Sequence, residues 1–414
     1  NGLTRREVMA LLLRHLITTV DEGRWNPKVS QLVLAVEPFL PRADRMAMAE
    51  AVRLANATIT AIIDSPTAAA QVYALEKRLL YASQPKNVMF IDYGATYTWA
   101  TIHRFEDNND SPVVEELAIV TNTSLGGDLM DKQLAQLLME QFSKQNKIEI
   151  PTEQRVVLRF IEEAKRAKEI LSLNKDVDIN MEDLVDEYGL HYHLTREEFE
   201  SLISDCNQSL RNLFNDVLTQ AGINETQLDS IELIGGVTRV PYVQTVLKEI
   251  SGMEKLNRTM NSDEVDRNGV GVLIHHVVAL GAGYRGAAFS AAFIVKKVAL
   301  SSFSNADIFI IHNGNVIQLF NQTSQLNETA EYVFNATENT EITIVAETNL
   351  STFVVPLPEN LTEAVTVNLT FGFDNLTLPN VTSVYVNETS VPISQLKFTF
   401  PDWALTPEQF QNST

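Results

Sequence analysis

Apolar residues recur at helical spacing through Val8–Val20, directly behind Thr4-Arg-Arg-Glu7. A Thr followed three residues later by a Glu is a capping box, so a helix is expected to start there. Leu32–Val36 is a continuous apolar run of strand length and predicts a buried strand, and Ala43–Ala55 predicts an amphipathic helix. Asp64-Ser-Pro-Thr-Ala-Ala-Ala70 turns into a third helix, so residues 1–80 alternate helix and strand. Asn87–Asp92 reads as a strand that meets a turn at Gly94 and a return strand, Tyr97–His103. Residues 125–172 read as mostly helical, and Val177–Leu194 as a short β segment holding a charged loop, Met181–Gly189. Thr195-Arg-Glu-Glu198 is a second capping box, heading one long helix.

From about residue 300 the period changes. Val365, Val367, Leu369, Phe371 and Phe373 alternate with Thr366, Asn368, Thr370 and Gly372, the pattern of a half-buried strand. Several such runs are separated by Asn/Thr/Pro turns. Residues 300–405 therefore predict a separate all-β domain, with 406–414 as a tail.

The remaining composition narrows the partners. The formal charge of −21 repels phosphate backbones and argues against a nucleic-acid partner. No apolar run reaches the length of a membrane span. Asn1-Gly2-Leu3 is not a secretion signal, so any targeting segment is expected outside this sequence. Cys206 is the one cysteine, which excludes an intrachain disulfide and taken alone suggests a reducing compartment. Asn-x-Ser/Thr sequons point the other way, since ten of them lie after residue 320. Asn321, Asn327, Asn335, Asn349, Asn360, Asn368, Asn375, Asn380 and Asn387 are the candidate glycosylation sites. A Thr/Asn-rich β domain making sequons as a by-product is the alternative. Asn368, on the polar face of its strand, would let a glycan point into solvent.

Four segments carry candidate chemistry. In Ile231-Glu-Leu-Ile-Gly-Gly-Val-Thr-Arg-Val-Pro241 a strand runs into two glycines, a Thr-Arg pair and a proline that opens a helix. Gly235 and Gly236 permit close backbone approach, and the planar Arg239 guanidinium could lie against an aromatic ligand; a tight αβ turn is the plain alternative. Asp92 followed by Gly94 suits a phosphate-binding hairpin or an ordinary one. Leu125-Gly-Gly-Asp-Leu-Met-Asp131 puts Gly126 and Gly127 at a helix start, where backbone N–H groups can meet anions. Lys165, Lys168 and Ser172 share one helix face, which by default is simply solvated.

The order of these segments resembles the actin-like ATPase fold and, more narrowly, the seventy-kilodalton heat-shock chaperone family. Asp64–Ala70, Leu125–Asp131, Leu194–Pro241, Leu256–Glu264 and Val278–Gly281 are similar to that family's segments at its spacing. With the acidic charge and the sequons, the resemblance is to the large glucose-regulated branch of the endoplasmic-reticulum lumen. It implies an N-terminally incomplete α/β actin-like nucleotide-binding domain over 1–299, with 1–84 and 257–299 as lobe I and 85–256 as lobe II. A substrate-binding β-sandwich over 300–405 follows. The family's first phosphate loop and catalytic Lys are expected upstream of Asn1, and its lid helices are absent from this sequence.

The resemblance implies ATP or ADP with Mg2+ as cofactor. Asp92 takes the place of the Asp that organises the metal through water and the catalytic centre. Gly94, Gly126 and Gly127 take phosphate-facing places. Lys168, Ser172, Gly235, Gly236 and Arg239 would enclose the adenosine, with Asp263 completing the pocket. Several positions depart from the family pattern. Tyr97 stands at the catalytic Thr position, with Thr96 and Thr98 beside it, and Ser65 replaces a metal-orienting Glu. Lys165 and Glu169 stand where a ribose-binding Glu and an adenine-stacking Arg belong, Glu37 replaces the switch proline, and 265–277 interrupts a helix start. Such losses cost a phosphoryl-transfer site orders of magnitude in rate, so hydrolysis is expected to be feeble or absent. The expected role is a lumenal holdase for unfolded clients and a nucleotide-exchange factor for a lumenal heat-shock-70-type partner. A non-functional remnant and an actin-fold small-molecule kinase are the alternatives.

Overall fold

The computed structural model describes residues 3–22, 29, 31–108, 111–257, 276–291, 293–358 and 361–400. The chain runs through α1 (Arg5–Glu22), β1 (Gln31–Val36), α2 (Arg42–Leu54), β2 (Thr58–Asp64) and α3 (Ser65–Glu76). Next come β3 (Lys86–Tyr93), β4 (Thr98–Asn108), β5 (Ser111–Asn122), α4 (Gly127–Asn146) and α5 (Gln154–Leu171). The hairpin β6 (Asp176–Val185) and β7 (Tyr188–Thr195) precedes α6 (Arg196–Leu202), α7 (Ser204–Ala221), β8 (Ser230–Ile234), α8 (Pro241–Ser251) and α9 (His276–Phe289). Strands dominate the rest: β9 (Ala299–Ser301), β10 (Ile308–His312), β11 (Asn315–Phe320), β12 (Ala330–Ala336) and β13 (Thr340–Val345). They continue with β14 (Asn349–Val355), β15 (Val365–Phe373), β16 (Pro379–Val386), β17 (Thr389–Ser390) and β18 (Lys397–Thr399). By contacts the chain forms two units. One comprises Lys77–Asn108 and Glu116–Val277, the other Asn1–Glu76, Asn109–Glu115 and Val278–Thr414.

The first unit is built on β8-β3-β4-β5, with β8 parallel and β4 antiparallel to β3. Val88, Met89, Phe90 and Ile91 are all fully buried, as a strand covered on both faces requires. Helices α4, α5, α7 and α8 contribute Leu134, Leu138, Phe142, Phe160, Phe214 and Val246 to the same core. Three expectations need correction here. Met181–Gly189 is not a loop: the strand continues to Val185 through a bulge between Met181 and Val185, and only a tight turn joins it to β7. The long helix after Thr195 is two helices, breaking at Ile203. Its capping box is half made: the Thr195 hydroxyl accepts from the Glu198 N–H, but the Glu198 carboxylate takes the Tyr192 hydroxyl instead.

In the second unit the Thr4 box is complete, Thr4 donating to Glu7 and accepting from its N–H. Helix α1 lays Ala10 against α2, while Leu11, Leu12 and Leu16 stay about half exposed. β1 pairs in parallel with β2, which the sequence pattern had not announced, and β1 is only partly buried rather than a core strand. Helix α2 buries an unusual face. Arg42 and Arg45, one turn apart, are both essentially inaccessible. Arg45 pairs with Asp64 at 2.6 Å, and both guanidinium groups donate to the Thr377 hydroxyl, at 3.0 Å and 2.8 Å. Burial drives the Arg42 pKa down to about 10, helped by the neighbouring Arg45 charge.

Strands β10–β18 form the expected sandwich, sheet β11-β10-β13-β14-β18 against sheet β12-β15-β16-β17. Its core comprises Ile308, Ile310, Ile342, Ile344 and Phe353 from one sheet with Val367, Leu369, Phe371 and Val384 from the other. The alternation along β15 holds through Phe371, with Val365, Val367, Leu369 and Phe371 buried and Thr366, Asn368 and Thr370 facing outward. It departs after the register shift at Thr370/Phe371, where Gly372 is buried and Phe373 half-buried. No helix among the described residues is long and apolar enough to cross a membrane.

Candidate functional site

The singled-out residues of the first unit converge where β3, α5 and β8 end and α4 begins. The hairpin after Asp92 closes with the Gly94 N–H donating to the Tyr97 carbonyl at 3.2 Å. Its tip is then clamped to the start of α4. The Gly127 N–H donates to the Gly94 carbonyl at 3.0 Å and the Asp128 N–H to the Ala95 carbonyl at 2.7 Å. Gly126 is required by this contact, because a Cβ there would lie 2.3 Å from the Ala95 oxygen. Two of the helix's free N-terminal donors are thus spent inside the fold rather than directed at a ligand.

The strand β8 delivers Gly235 beside the same hairpin. Its φ of +84° and a Cβ position 2.4 Å from Asp92 Oδ1 both demand glycine. A 3-10 turn, Gly236–Arg239, follows, with Pro241 as the first residue of α8. The buried Thr238 hydroxyl ties this turn down by donating to the Gly235 carbonyl at 2.6 Å. Gly236 is exposed and a Cβ on it would meet nothing, while Arg239 is half-buried.

From α5, Lys168 reaches the first turn of α4. Its ammonium pairs with Asp131 at 2.7 Å and donates to the Gly127 carbonyl at 3.3 Å. Asp131 has no role in the sequence pattern beyond closing Leu125–Asp131, and its place one turn after Gly127 is the local signal for this contact. Burial raises the Asp131 pKa, with Lys168 opposing the rise. The Ser172 hydroxyl donates to its own helix, at the Lys168 carbonyl, 3.0 Å away. Asp263 lies outside the described residues, as do Asn360 and all of the 265–277 interruption before α9 begins at His276.

The hydroxyls around Tyr97 are accounted for as well. Thr98 is fully buried and donates to the Leu125 carbonyl at 2.8 Å, so its hydroxyl is not presented to a ligand. Thr96 is exposed at the hairpin tip. Ser65, in the other unit, donates to the Val36 carbonyl at 2.9 Å. Two N–H groups at this helix start, those of Gly127 and Asp128, are already taken by the carbonyls of Gly94 and Ala95 and are not free for a phosphate. Among the described residues no three His, Cys, Asp or Glu side chains gather to hold a metal directly.

The sequons of the sandwich are mostly accessible. Asn321, Asn327, Asn335, Asn349, Asn375, Asn380 and Asn387 are exposed and Asn368 is half-buried. Asn321 forms an Asx turn, its Oδ1 accepting from the Thr323 N–H and hydroxyl at 2.9 Å and 2.8 Å. Asn207 is different: it is buried within α7 and donates to the Ile203 carbonyl.

The sequence profile of the Hsp70 protein family matches residues 2–355. Hypoxia up-regulated protein 1 of Xenopus tropicalis is 30% identical over 297 residues, covering 70% of this chain and 44% of that protein. The mouse protein of the same name is 30% identical over 299 residues, covering 70% and 29%. Chaperone protein DnaK of Thermus thermophilus is 33% identical over 275 residues, covering 65% and 43%. The chain spans less than half the length of these relatives.

Proposed function

The chain belongs to the Hsp70 family of chaperones, and from that premise we propose that it works by holding and binding rather than by turning over ATP. In this reading it resides in the endoplasmic-reticulum lumen, holds unfolded polypeptides on its β-sandwich and promotes nucleotide exchange on a lumenal Hsp70-type partner. The family binds nucleotide with Mg2+. Here adenosine would sit against Gly236 and Arg239, with Lys168, Ser172 and Gly235 at its edge and Asp263 beyond. Asp92 would hold the metal shell, and Gly94, Gly126 and Gly127 would line the phosphate side.

The observation that carries the reading is the Gly94–Tyr97 hairpin. It has a tyrosine where the family has its catalytic hydroxyl, its neighbour Thr98 is spent on Leu125, and its tip fills the donors of α4. Positioned donors supply most of the acceleration in phosphoryl transfer, so a lobe that uses them internally is suited to binding. The exposed sequons support a lumenal address.

The test is release of labelled nucleotide from a lumenal Hsp70-type chaperone, with and without the purified chain, beside light scattering of an aggregating client. Accelerated release or suppressed aggregation supports the proposal. Absence of both overturns it in favour of a non-functional remnant. Phosphate transfer to a sugar would instead favour the kinase reading.

A further inference from the structure

The outward face of sheet β12-β15-β16-β17 carries a feature that scattered sequons do not explain. Register places Val333, Asn368 and Tyr385 in one cross-strand row. The adjacent row holds Asn335, Thr366 and Asn387, since Asn335 pairs with Thr366 and the Asn387 N–H donates to the Thr366 carbonyl at 2.9 Å. Three sequon asparagines therefore share one small patch with an exposed tyrosine ring. Val333, Thr366, Asn368, Tyr385, Asn387 and Glu388 line a groove of about 580 Å³ there. That lies within the range of small-ligand sites, roughly 300–1,000 Å³.

The polar atoms in the groove are arranged unequally. Asn387 Oδ1 accepts from the Thr366 N–H at 2.9 Å, and among the described residues its Nδ2 has no hydrogen-bond partner. Nδ2 is the atom that carries an N-linked sugar. Asn368 Oδ1 is buried and lacks a donor. An unmet buried acceptor is costly, and a sugar hydroxyl or acetamido N–H would satisfy it. Tyr385 and Val333 are 42% and 53% exposed, large apolar surfaces on an otherwise polar face. Asn387 and Glu388 form the two-residue turn into β17 with φ of 45° and 65°. Such a turn suits Asn but strains Glu.

We propose that Asn387 carries an N-linked oligosaccharide whose first N-acetylglucosamine lies in this groove, its C–H face on Tyr385, as part of the fold. The sugar's polarised C–H bonds meet the electron-rich ring face, and Asn368 Oδ1 accepts one of its donors. Asn368 is then a partner of the glycan and not its carrier. Transfer joins sugar C1 to Asn387 Nδ2 and breaks the C1–O bond to a lipid-linked diphosphate donor. The diphosphate leaves with the bonding pair, and the amide gives up one proton. The inference rests on the lumenal reading above, which supplies that donor.

The experiment expresses the whole chain behind a secretion signal in a glycosylating eukaryotic cell and maps sequon occupancy by peptide mass spectrometry. Hydrogen exchange of residues 379–391 is then compared between the chain trimmed to single N-acetylglucosamines and Thr389→Val. That variant abolishes the sequon and leaves the Asn387–Thr366 bond. Exchange is expected to be roughly five-fold slower with the sugar, the scale of one aromatic contact. Tyr385→Ala is expected to erase the difference and Tyr385→Phe to keep it, both with Asn387 still occupied. Occupancy at Asn321 and Asn349 with Asn387 empty, or with the glycan on Asn368 instead, overturns the proposal and leaves the lumenal reading standing. An occupied Asn387 with no change in exchange overturns it too. No occupied sequon at all overturns both.

Discussion

Gly235 leaves no room for a side chain beside Asp92: a Cβ on it would lie 2.4 Å from the carboxylate Oδ1 and 2.5 Å from the Tyr93 carbonyl oxygen. The end of β8 and the end of β3 are thereby locked at backbone distance. Its neighbour Gly236 stands in open space.

Gly235→Ala combines a left-handed φ with a clash against backbone, so it should destabilise the first unit by about 2–4 kcal/mol. Gly236→Ala should change stability by less than about 0.5 kcal/mol. Urea unfolding followed by fluorescence of the buried Trp99 distinguishes them. Equal losses for the two variants would show that the tight approach is not what Gly235 provides.

Lys168 and Asp131 predict a pH dependence. Burial holds the Asp131 pKa above its unfolded value, so the folded state takes up this proton more readily. The carboxyl's contribution to stability is therefore most favourable below the unfolded pKa and declines as pH rises through the raised one. Lys168→Met removes the opposing charge and raises that pKa further. It should cost about 2–3 kcal/mol at pH 7 and clearly less at pH 4, read from denaturant midpoints. A loss independent of pH would assign Lys168 a packing role alone.

Thr377 accepts hydrogen bonds from both Arg42 and Arg45, two buried cations. Thr377→Val keeps the shape and removes the acceptor, leaving buried donors short of a partner. A loss of about 1–3 kcal/mol is expected, with faster exchange of the Ile62 amide, which donates to the Asn375 carbonyl nearby. Unchanged Ile62 exchange would mean that this cluster does not hold α2 and β2 to the sandwich.

ATP turnover by the purified chain should fall at least about a hundred-fold below that of an ordinary family chaperone, since each lost donor costs about that much. Single-turnover release of labelled phosphate measures it directly. Comparable turnover would overturn the binding-only reading of the hairpin.

The sequence disclosed what local chemistry controls. The Thr4 box, the Asp92–Gly94 turn, the proline start of α8 and the alternation of β15 all follow from neighbouring residues. Where it misled, the cause was non-local or a slip in period. Met181 and Leu184 are both buried although three residues apart, because Asp183 at φ 49° absorbs the extra residue in a bulge. Ala43–Ala55 read only as an amphipathic helix, and nothing local signals that Thr377, more than three hundred residues on, draws Arg42 and Arg45 inside. The fate of the Gly127 N–H was equally invisible, since nothing in Gly126-Gly127 indicates that the Gly94 carbonyl will reach it first.

That last contact has a practical consequence. Helix starts commonly await an anion, and proteins built on them soften when the anion is withdrawn. Here the hairpin carbonyls supply the negative pole from within the chain, so the lobe brings its own counterpart. No anion is accordingly needed at this helix start to hold the lobe together, and inorganic phosphate alone should leave its melting curve unchanged.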